Sequence, residues 1–448
     1  MMKFAYRLAL IILGLLPAFT WASEKPNVIV IMADDLGAEG LNCYGSTIYT
    51  TPHLDKMAAE GARFNNAYAT PLCTPTRVMI MSGLYPNRTG YTALMGKSAG
   101  TRLPASIRTF GHDFKTSGYK TAIAGKWQLG KFDEFPNQPV EHGFDEYCMW
   151  TWFHGGKKHS RFYQPAYYTD GKVHYRTEND FGPDIYCKFV LDFIDRNKDA
   201  PFCIYYPMAL VHSPFIHPPR LEDLARTKFN DNVDKQTAAF GHMITYMDDI
   251  VGQIRAKLEE HDLAKNTLIL FTADNGTHKA ITSQLPGMQL KGGKGSMNEA
   301  GTRVPFIAWW PGQIKPTVKE DFLCLVDVLP TICSIAKIDL KRKVDGMDLS
   351  HSLLGTKGTA RDHIFMAYKG GQFFTRDRQF RLSLGGKKES EENLFHIPVT
   401  SDTERYRESV STNPEHQADR QRLKKLLDQY TSIPDEYAET RKAASGKK

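Results

Sequence analysis

Five short runs of apolar, β-branched and aromatic residues stand out along the chain: Val28–Met32, Thr121–Ala124, Phe202–Tyr206, Thr267–Thr272 and Val304–Trp310. They are near-continuous rather than alternating, so each predicts a strand buried on both faces, as in a parallel sheet. Helical patterns lie between them. Thr51-Pro52 sets an N-cap with proline at the first helical position, and Gly61 closes that helix after Leu54, Met57 and Ala58. Between Val233 and Glu260, Phe240, Met243, Ile244, Met247, Ile250, Val251, Ile254 and Leu258 recur at helical spacing. Pro75 and the apolar run up to Gly83 predict a short helix beginning at Cys73. Strands alternating with helices predict an α/β fold, a large and mostly parallel sheet flanked by helices.

After residue 335 the pattern changes. Ile364–Ala367 and Phe380–Leu384 predict strands of a small antiparallel sheet, and Asn413-Pro414 starts a final helix with Leu423, Leu426, Leu427 and Tyr430 on one face. Ala443 to Lys448 read as a solvated tail. The expected division is a large domain over 23–335 and a smaller C-terminal α+β subdomain over 336–448. At the other end, Lys3 and Arg7 precede the apolar run Leu8 to Phe19, and Thr20-Trp21-Ala22 supplies a cleavage site. Residues 1–22 therefore read as a secretory signal peptide, which predicts a periplasmic or secreted protein with no stable membrane span after cleavage.

Composition narrows the class. Hydrophobic residues are 41% and charged residues 24% of 448, which excludes disorder and fibrous architectures. A mean hydropathy of −0.41 and one apolar run exclude a polytopic membrane protein. The net charge, 57 − 50 = +7, is too mild for a nucleic-acid footprint. Seven cysteines in so long a chain are too few for a disulfide framework, and the odd number flags one with another task.

The chemistry sits where the strands end. Val28–Met32 runs into Asp34-Asp35 and Thr267–Thr272 into Asp274-Asn275; Thr121–Ala124 leads to Lys126, and Phe202–Tyr206 to His212. Ligands of open α/β sheets bind at this carboxyl edge. Either acidic pair alone reads as turn or cap residues. Two pairs after two core strands offer three carboxylates and an amide oxygen, a donor set for Ca²⁺ first and Mg²⁺ second. Cys73, at a helix N-terminus with Arg77 one turn on, is a buried thiol, an anion site or a low-pKa nucleophile.

In Cys73-Thr74-Pro75-Thr76-Arg77 the chain resembles the type I sulfatase family, whose C-x-P-S/T/A-R signature carries a cysteine oxidised to formylglycine. Ser82 to Gly90, Asn27–Asp35, Thr51 to Asp55, Gly125-Lys126-Trp127, His212-Ser213-Pro214, Asp274-Asn275-Gly276 and Lys294 with Glu299 to Pro305 extend the likeness over nearly the whole mature chain. The resemblance implies an alkaline phosphatase-like fold and hydrolysis of a sulfate monoester on a sulfated carbohydrate, through a covalent sulfo-enzyme intermediate on the modified Cys73. It implies that Asp34, Asp35, Asp274 and Asn275 hold Ca²⁺ together with an oxygen of that residue. Arg77 would fix the formylglycine hydrate, Lys126 and Lys294 would clamp sulfate oxygens, and His212 would sit near the leaving-group oxygen. Lys291 is a second candidate for the Lys294 role. A formylglycine-generating enzyme is the implied maturation partner.

One position departs from the family. Its usual Gly-Lys-Trp-His-Leu-Gly is here Gly125-Lys126-Trp127-Gln128-Leu129-Gly130. Gln128 still hydrogen-bonds in the sulfate pocket but cannot serve as a base. Two alternatives stay open: a glycan-binding pseudo-sulfatase, which Gln128 motivates, and a phosphodiester or phosphonate monoester hydrolase, which the resemblance allows because relatives with the same fold and modified cysteine act on phosphorus. Trp150, Trp152, Phe153, His154, Lys157, Lys158, His159 and Arg161 form an aromatic, basic stretch that either lines a sugar site or packs as an ordinary loop. His217 and His278 read first as structural histidines.

Overall fold

The computed structural model describes residues 25–95, 101–177, 179–219, 233–385, 392–397 and 408–444. The expected signal peptide lies outside the described residues. At the centre are five strands running the same way, in the order Thr267–Ala273, Asn27–Ala33, Phe202–Pro207, Lys120–Gly125, Glu146–Trp150. Four of them coincide with apolar runs of the sequence. Their side chains are buried on both faces, as the unbroken runs require. The fifth, Glu146–Trp150, opens on a polar residue and carries no such signal. The sheet continues to eleven strands with antiparallel members at both edges.

The run Val304–Trp310 corrects the parallel expectation. It is split at Pro305 into Arg303–Val304 and Phe306–Trp309, and the latter pairs antiparallel to Thr267–Ala273. A parallel neighbour needs a crossover that carries the chain to the sheet's other end. Here residues 274–302 stay at the carboxyl edge: Gly276 N–H donates to the Gly301 carbonyl at 3.0 Å, and Lys294 N–H to the Thr277 carbonyl at 3.0 Å. The next strand can only run back.

The helices follow the sequence closely. Pro52–Glu60, Cys73–Ser82 and Lys235–Glu260 begin and end near the predicted points. Thr51 does not cap the first of these with its side chain. Asp248, buried in the long helix, instead accepts from the backbone N–H groups of His53 (3.0 Å) and Leu54 (2.8 Å). The expected final helix begins with a turn at Pro414–His416 and continues as Gln417–Thr431, with Leu423 and Leu427 buried. It is not the last: Ala438–Ala444 is helical and takes up the start of the expected tail.

Five antiparallel strands, Ile364–Tyr368, Gln372–Arg376, Phe380–Leu384, Glu392–His396 and Glu408–Ser409, form the second sheet. Its seam with the large sheet contains buried ion pairs. Arg361 Nη2 is 2.5 Å from Asp327 Oδ1, and Arg376 Nη1 is 2.8 Å from Glu299 Oε2, which also accepts from the Tyr68 hydroxyl at 2.8 Å. None of the seven cysteines is in a disulfide; the apolar core holds the fold.

Candidate active site

The register of the parallel strands assembles the site. Ala33 pairs with Ala273, so Asp34 and Asp274 leave the sheet side by side. Asp274 N–H donates to the Ala33 carbonyl (3.0 Å), and Asp35 N–H donates to Asp274 Oδ1 (3.1 Å). On the other flank, Asp34 N–H donates to the Leu210 carbonyl (2.7 Å) and Val211 N–H to the Asp34 carbonyl (2.8 Å), which fixes the loop carrying His212. The next strand ends at Gly125, whose φ is 107°. A Cβ there would meet the Pro207 carbonyl oxygen at 2.2 Å, so only glycine lets the chain turn Lys126 into the rim.

Opposite charges are interleaved in this buried space. Lys126 Nζ lies 2.9 and 2.7 Å from the two oxygens of Asp34. Arg161 Nη1 is 3.2 Å from Asp34 Oδ2, and Arg77 Nη2 is 2.6 Å from Asp274 Oδ2 and 3.8 Å from Asp34 Oδ1. Lys294 Nζ is 2.6 Å from Asp35 Oδ2. Burial would raise the Asp34 carboxyl, but Lys126, His212, Arg77 and Arg161 outweigh it and hold it well below the usual range. Burial and the Asp34 charge push Asp274 up. Burial holds the His212 imidazole down at about 3. Its Nδ1 donates to the Ser213 carbonyl at 2.6 Å, and Nε2 faces Asp35 Oδ2 at 3.6 Å.

Cys73 opens the Cys73–Ser82 helix, which Gly83 terminates in the left-handed conformation at φ 70°. Its buried thiol donates to Gln128 Oε1 at 3.2 Å. One turn on, Arg77 also donates to the Lys126 carbonyl at 2.7 Å, so the helix is tied to the end of the Lys120–Gly125 strand as well as to Asp274. All the residues proposed from sequence, Asp34, Asp35, Cys73, Arg77, Lys126, Gln128, His212, Asp274, Asn275 and Lys294, therefore meet on one rim. Lys291 does not; it is exposed at the end of the Met288–Lys291 strand.

The residues fit a hard divalent cation. Asp34, Asp35, Asp274 and Asn275 are completely buried and present oxygen donors. Asn275 Nδ2 donates to Asp35 Oδ1 at 2.9 Å, which leaves the buried Asn275 Oδ1 without a hydrogen-bond donor. A buried carbonyl oxygen so placed is suited to a metal. Ligand atoms of Asp34, Asp35 and His212 also lie within 4.8 Å of one another.

The sequence pattern puts Arg161 only in an aromatic, basic stretch and gives no sign of its contact with Asp34. The signal that could have found it is the Glu146–Trp150 strand. That strand's carboxyl end lies on the same edge as Gly125, with which it is in register (Gly125 opposite Met149), so the segment after Trp150 starts at the rim. From the second sheet, Tyr368 reaches the neighbourhood of Cys73 and Lys294, a contribution with no sequence signature.

The large sheet with its C-terminal small-sheet subdomain is an alkaline phosphatase-like α/β fold, and the chain belongs to the sulfatase family, whose model (Sulfatase) matches residues 26–338. It is 32% identical to Arylsulfatase A of Homo sapiens over 369 residues, 77% of this chain and 70% of that protein. It is 28% identical to the N-acetylgalactosamine-6-O-sulfatase of Bacteroides thetaiotaomicron, covering 76% of this chain and 79% of that one. The crystal structure of Ps i-CgsB in complex with k-i-k-neocarrahexaose superimposes with a TM-score of 0.79 over 93% of this chain and 94% of that one, at 24% identity, and so shares the fold. The protein is a sulfuric ester hydrolase.

Proposed function

We infer that this enzyme hydrolyses a sulfate monoester of a carbohydrate, using a formylglycine made from Cys73 by a formylglycine-generating enzyme. The observation that carries this is residue 73 at a helix N-terminus, with Arg77 of the same helix tied to Asp274, Gln128 bonded to its thiol and Lys294 within electrostatic reach. Asp34, Asp35, Asp274 and Asn275, with an oxygen of residue 73, would hold Ca²⁺, which would supply Lewis-acid polarisation, and the hydrated aldehyde would supply the nucleophilic hydroxyl. Mg²⁺ is the second choice.

The chain's own residues do the rest. A sulfate ester is an anion, and attack on it adds negative charge, so fixed cations lower the barrier. Lys126 and Lys294 bind the sulfate oxygens. Arg77, held by Asp274 and the Lys126 carbonyl, fixes residue 73. His212, its ring oriented by the Nδ1 bond to the Ser213 carbonyl, turns Nε2 as a hydrogen-bond acceptor toward the leaving-group side of the site. Gln128 orients residue 73 through its side-chain oxygen without taking up a proton.

A cavity of about 700 Å³ adjoins Lys294 and is lined by His278, Lys279, Leu94, Tyr368 and Lys369, large enough for a sugar ring or two. Relatives named for N-acetylgalactosamine 6-sulfate support a glycan substrate. The apolar run at Leu8 to Phe19 supports export to the periplasm or beyond. Among the described residues no helix is long and apolar enough to cross a membrane. We also assign the catalytic domain to 23–335 and the smaller subdomain to 336–448.

The test is a peptide mass spectrum at position 73 beside kinetics on aryl sulfate, aryl phosphonate and phosphodiester substrates, then a sulfated-oligosaccharide screen. Formylglycine and the largest kcat/KM on sulfate are expected, and Cys73→Ala abolishes turnover while remaining folded. A larger kcat/KM on a phosphorus ester, or full turnover with unmodified Cys73, overturns the reading.

A further inference from the structure

We propose that Arg161 is a substrate-binding residue whose guanidinium donates to an oxygen of the ester's sulfate group. This deepens the sulfatase reading and rests on it. Arg161 is 5% exposed, and its one hydrogen bond among the described residues is from Nη1 to Asp34 Oδ2 at 3.2 Å. A guanidinium carries five N–H donors, so among the described residues most of this fork has no protein acceptor. Buried charged donors call for acceptors, and the anion the site receives would supply them.

The side chain is also aimed and held. Its guanidinium carbon sits 4.2 Å from the centroid of the Trp150 ring, and the Trp150 indole N–H donates to the His159 carbonyl at 3.0 Å, which anchors the platform. Cys73, Asp35 and Arg77 lie within electrostatic reach of it. Asp34 does not need this cation: Lys126 already engages both of its oxygens. Around three carboxylates stand four fixed cations, Lys126, Lys294, Arg77 and Arg161. Arg161 is the one supplied by the excursion after Trp150 rather than by a segment that carries the family likeness.

The experiment measures binding of inorganic sulfate by calorimetry to the calcium-loaded wild type, Arg161→Gln, Arg161→Lys and Trp150→Phe. Aryl sulfate kinetics, calcium content and Tm are measured alongside. Arg161→Gln should weaken sulfate binding about ten- to a hundredfold, within the range for a hydrogen bond to a charged group, and lower kcat/KM comparably at unchanged calcium content. Arg161→Lys should recover only part, because an ammonium lacks the planar fork. Trp150→Phe, which keeps a smaller platform, should give a smaller loss and reports on Arg161 even if Arg161→Gln fails to fold. Unchanged sulfate affinity in the folded Arg161 variants, or a fall in calcium content that accounts for the lost affinity, overturns the proposal. Absence of aryl sulfate turnover in the wild type would instead count against the sulfatase reading, since the sulfate-binding arm needs no turnover.

Discussion

Lys126→Met separates the ion pair that this lysine makes with Asp34 from the sulfate clamp proposed for it. Its Nζ is wholly buried and bridges both oxygens of Asp34 at 2.9 and 2.7 Å. Methionine keeps most of the unbranched stem, so packing is nearly preserved and the change is the lost charge. Stripping the partner from a buried ion pair usually costs about 3–5 kcal/mol, because a bare charge remains. Here Asp34 retains Arg161 at 3.2 Å and Arg77 at 3.8 Å, which should hold the stability cost to the lower end or below it, about 1–3 kcal/mol. On the proposed sulfate side Lys294 and Arg161 remain, but the donor that Lys126 gives is lost outright. Removing one preorganised donor from the oxygens that gain charge costs about 3–4 kcal/mol, roughly 10²–10³-fold in kcat. Aryl sulfate kinetics, calcium content and thermal unfolding on one preparation report both quantities. A kcat/KM within threefold of wild type at full calcium occupancy would refute the sulfate-clamp role.

Three other perturbations have definite signs. Asp274→Asn keeps the shape but removes a buried charge bonded to Arg77, and should lower both calcium content and turnover; unchanged metal stoichiometry would remove Asp274 from the ligand set. Gln128→His puts a titratable ring where the amide oxygen now lies 3.2 Å from the Cys73 thiol, and should raise kcat by up to ~10²–10⁴-fold, with a new alkaline-favouring limb in the pH profile; a fall in kcat would mean that the amide contact itself matters more. His142 is fully buried with Nε2 donating to the Leu103 carbonyl at 3.3 Å, and burial holds its imidazole down at about 4 against 6.5 in the unfolded chain. The unfolded state thus binds more protons between those values, so stability falls as pH drops through that window, by about 3 kcal/mol for this group. Urea midpoints from pH 7 to 4 should show a shallower decline in His142→Gln, and an identical decline would remove this histidine from the acid sensitivity.

The site is legible where an apolar run stops abruptly at a charge. Asp34-Asp35 and Asp274-Asn275 follow fully buried strands, and that abruptness places them on the carboxyl rim whatever the rest of the fold does. Strand direction is not legible. Phe306–Trp309 has the same apolar texture as its parallel neighbours, and only the path of residues 274–302 along one edge makes it antiparallel. Arg161 is obscured for a related reason. Glu146–Trp150 mixes a glutamate and a tyrosine with apolar positions, so the strand that delivers the Arg161 segment to the rim does not look like core, although four of its residues are buried.

The second sheet bears on catalysis through charge rather than through chemistry of its own. Glu299, five residues past Lys294, accepts from Tyr68 of the large sheet and pairs with Arg376 of the small one at 2.8 Å, while Arg381 Nη1 lies 3.5 Å away. Both arginines are almost completely buried, so neither can be left facing the other without its carboxylate. That requirement pins the start of the Glu299–Thr302 turn, and Gly301 in that turn is bonded back to Gly276, next to Asn275. The position of Lys294 relative to Asp35 therefore depends on a strand more than eighty residues downstream. In this chain the small sheet also supplies Tyr368 and Lys369 to the cavity beside Lys294, so one seam sets both the position of Lys294 and a wall of that cavity.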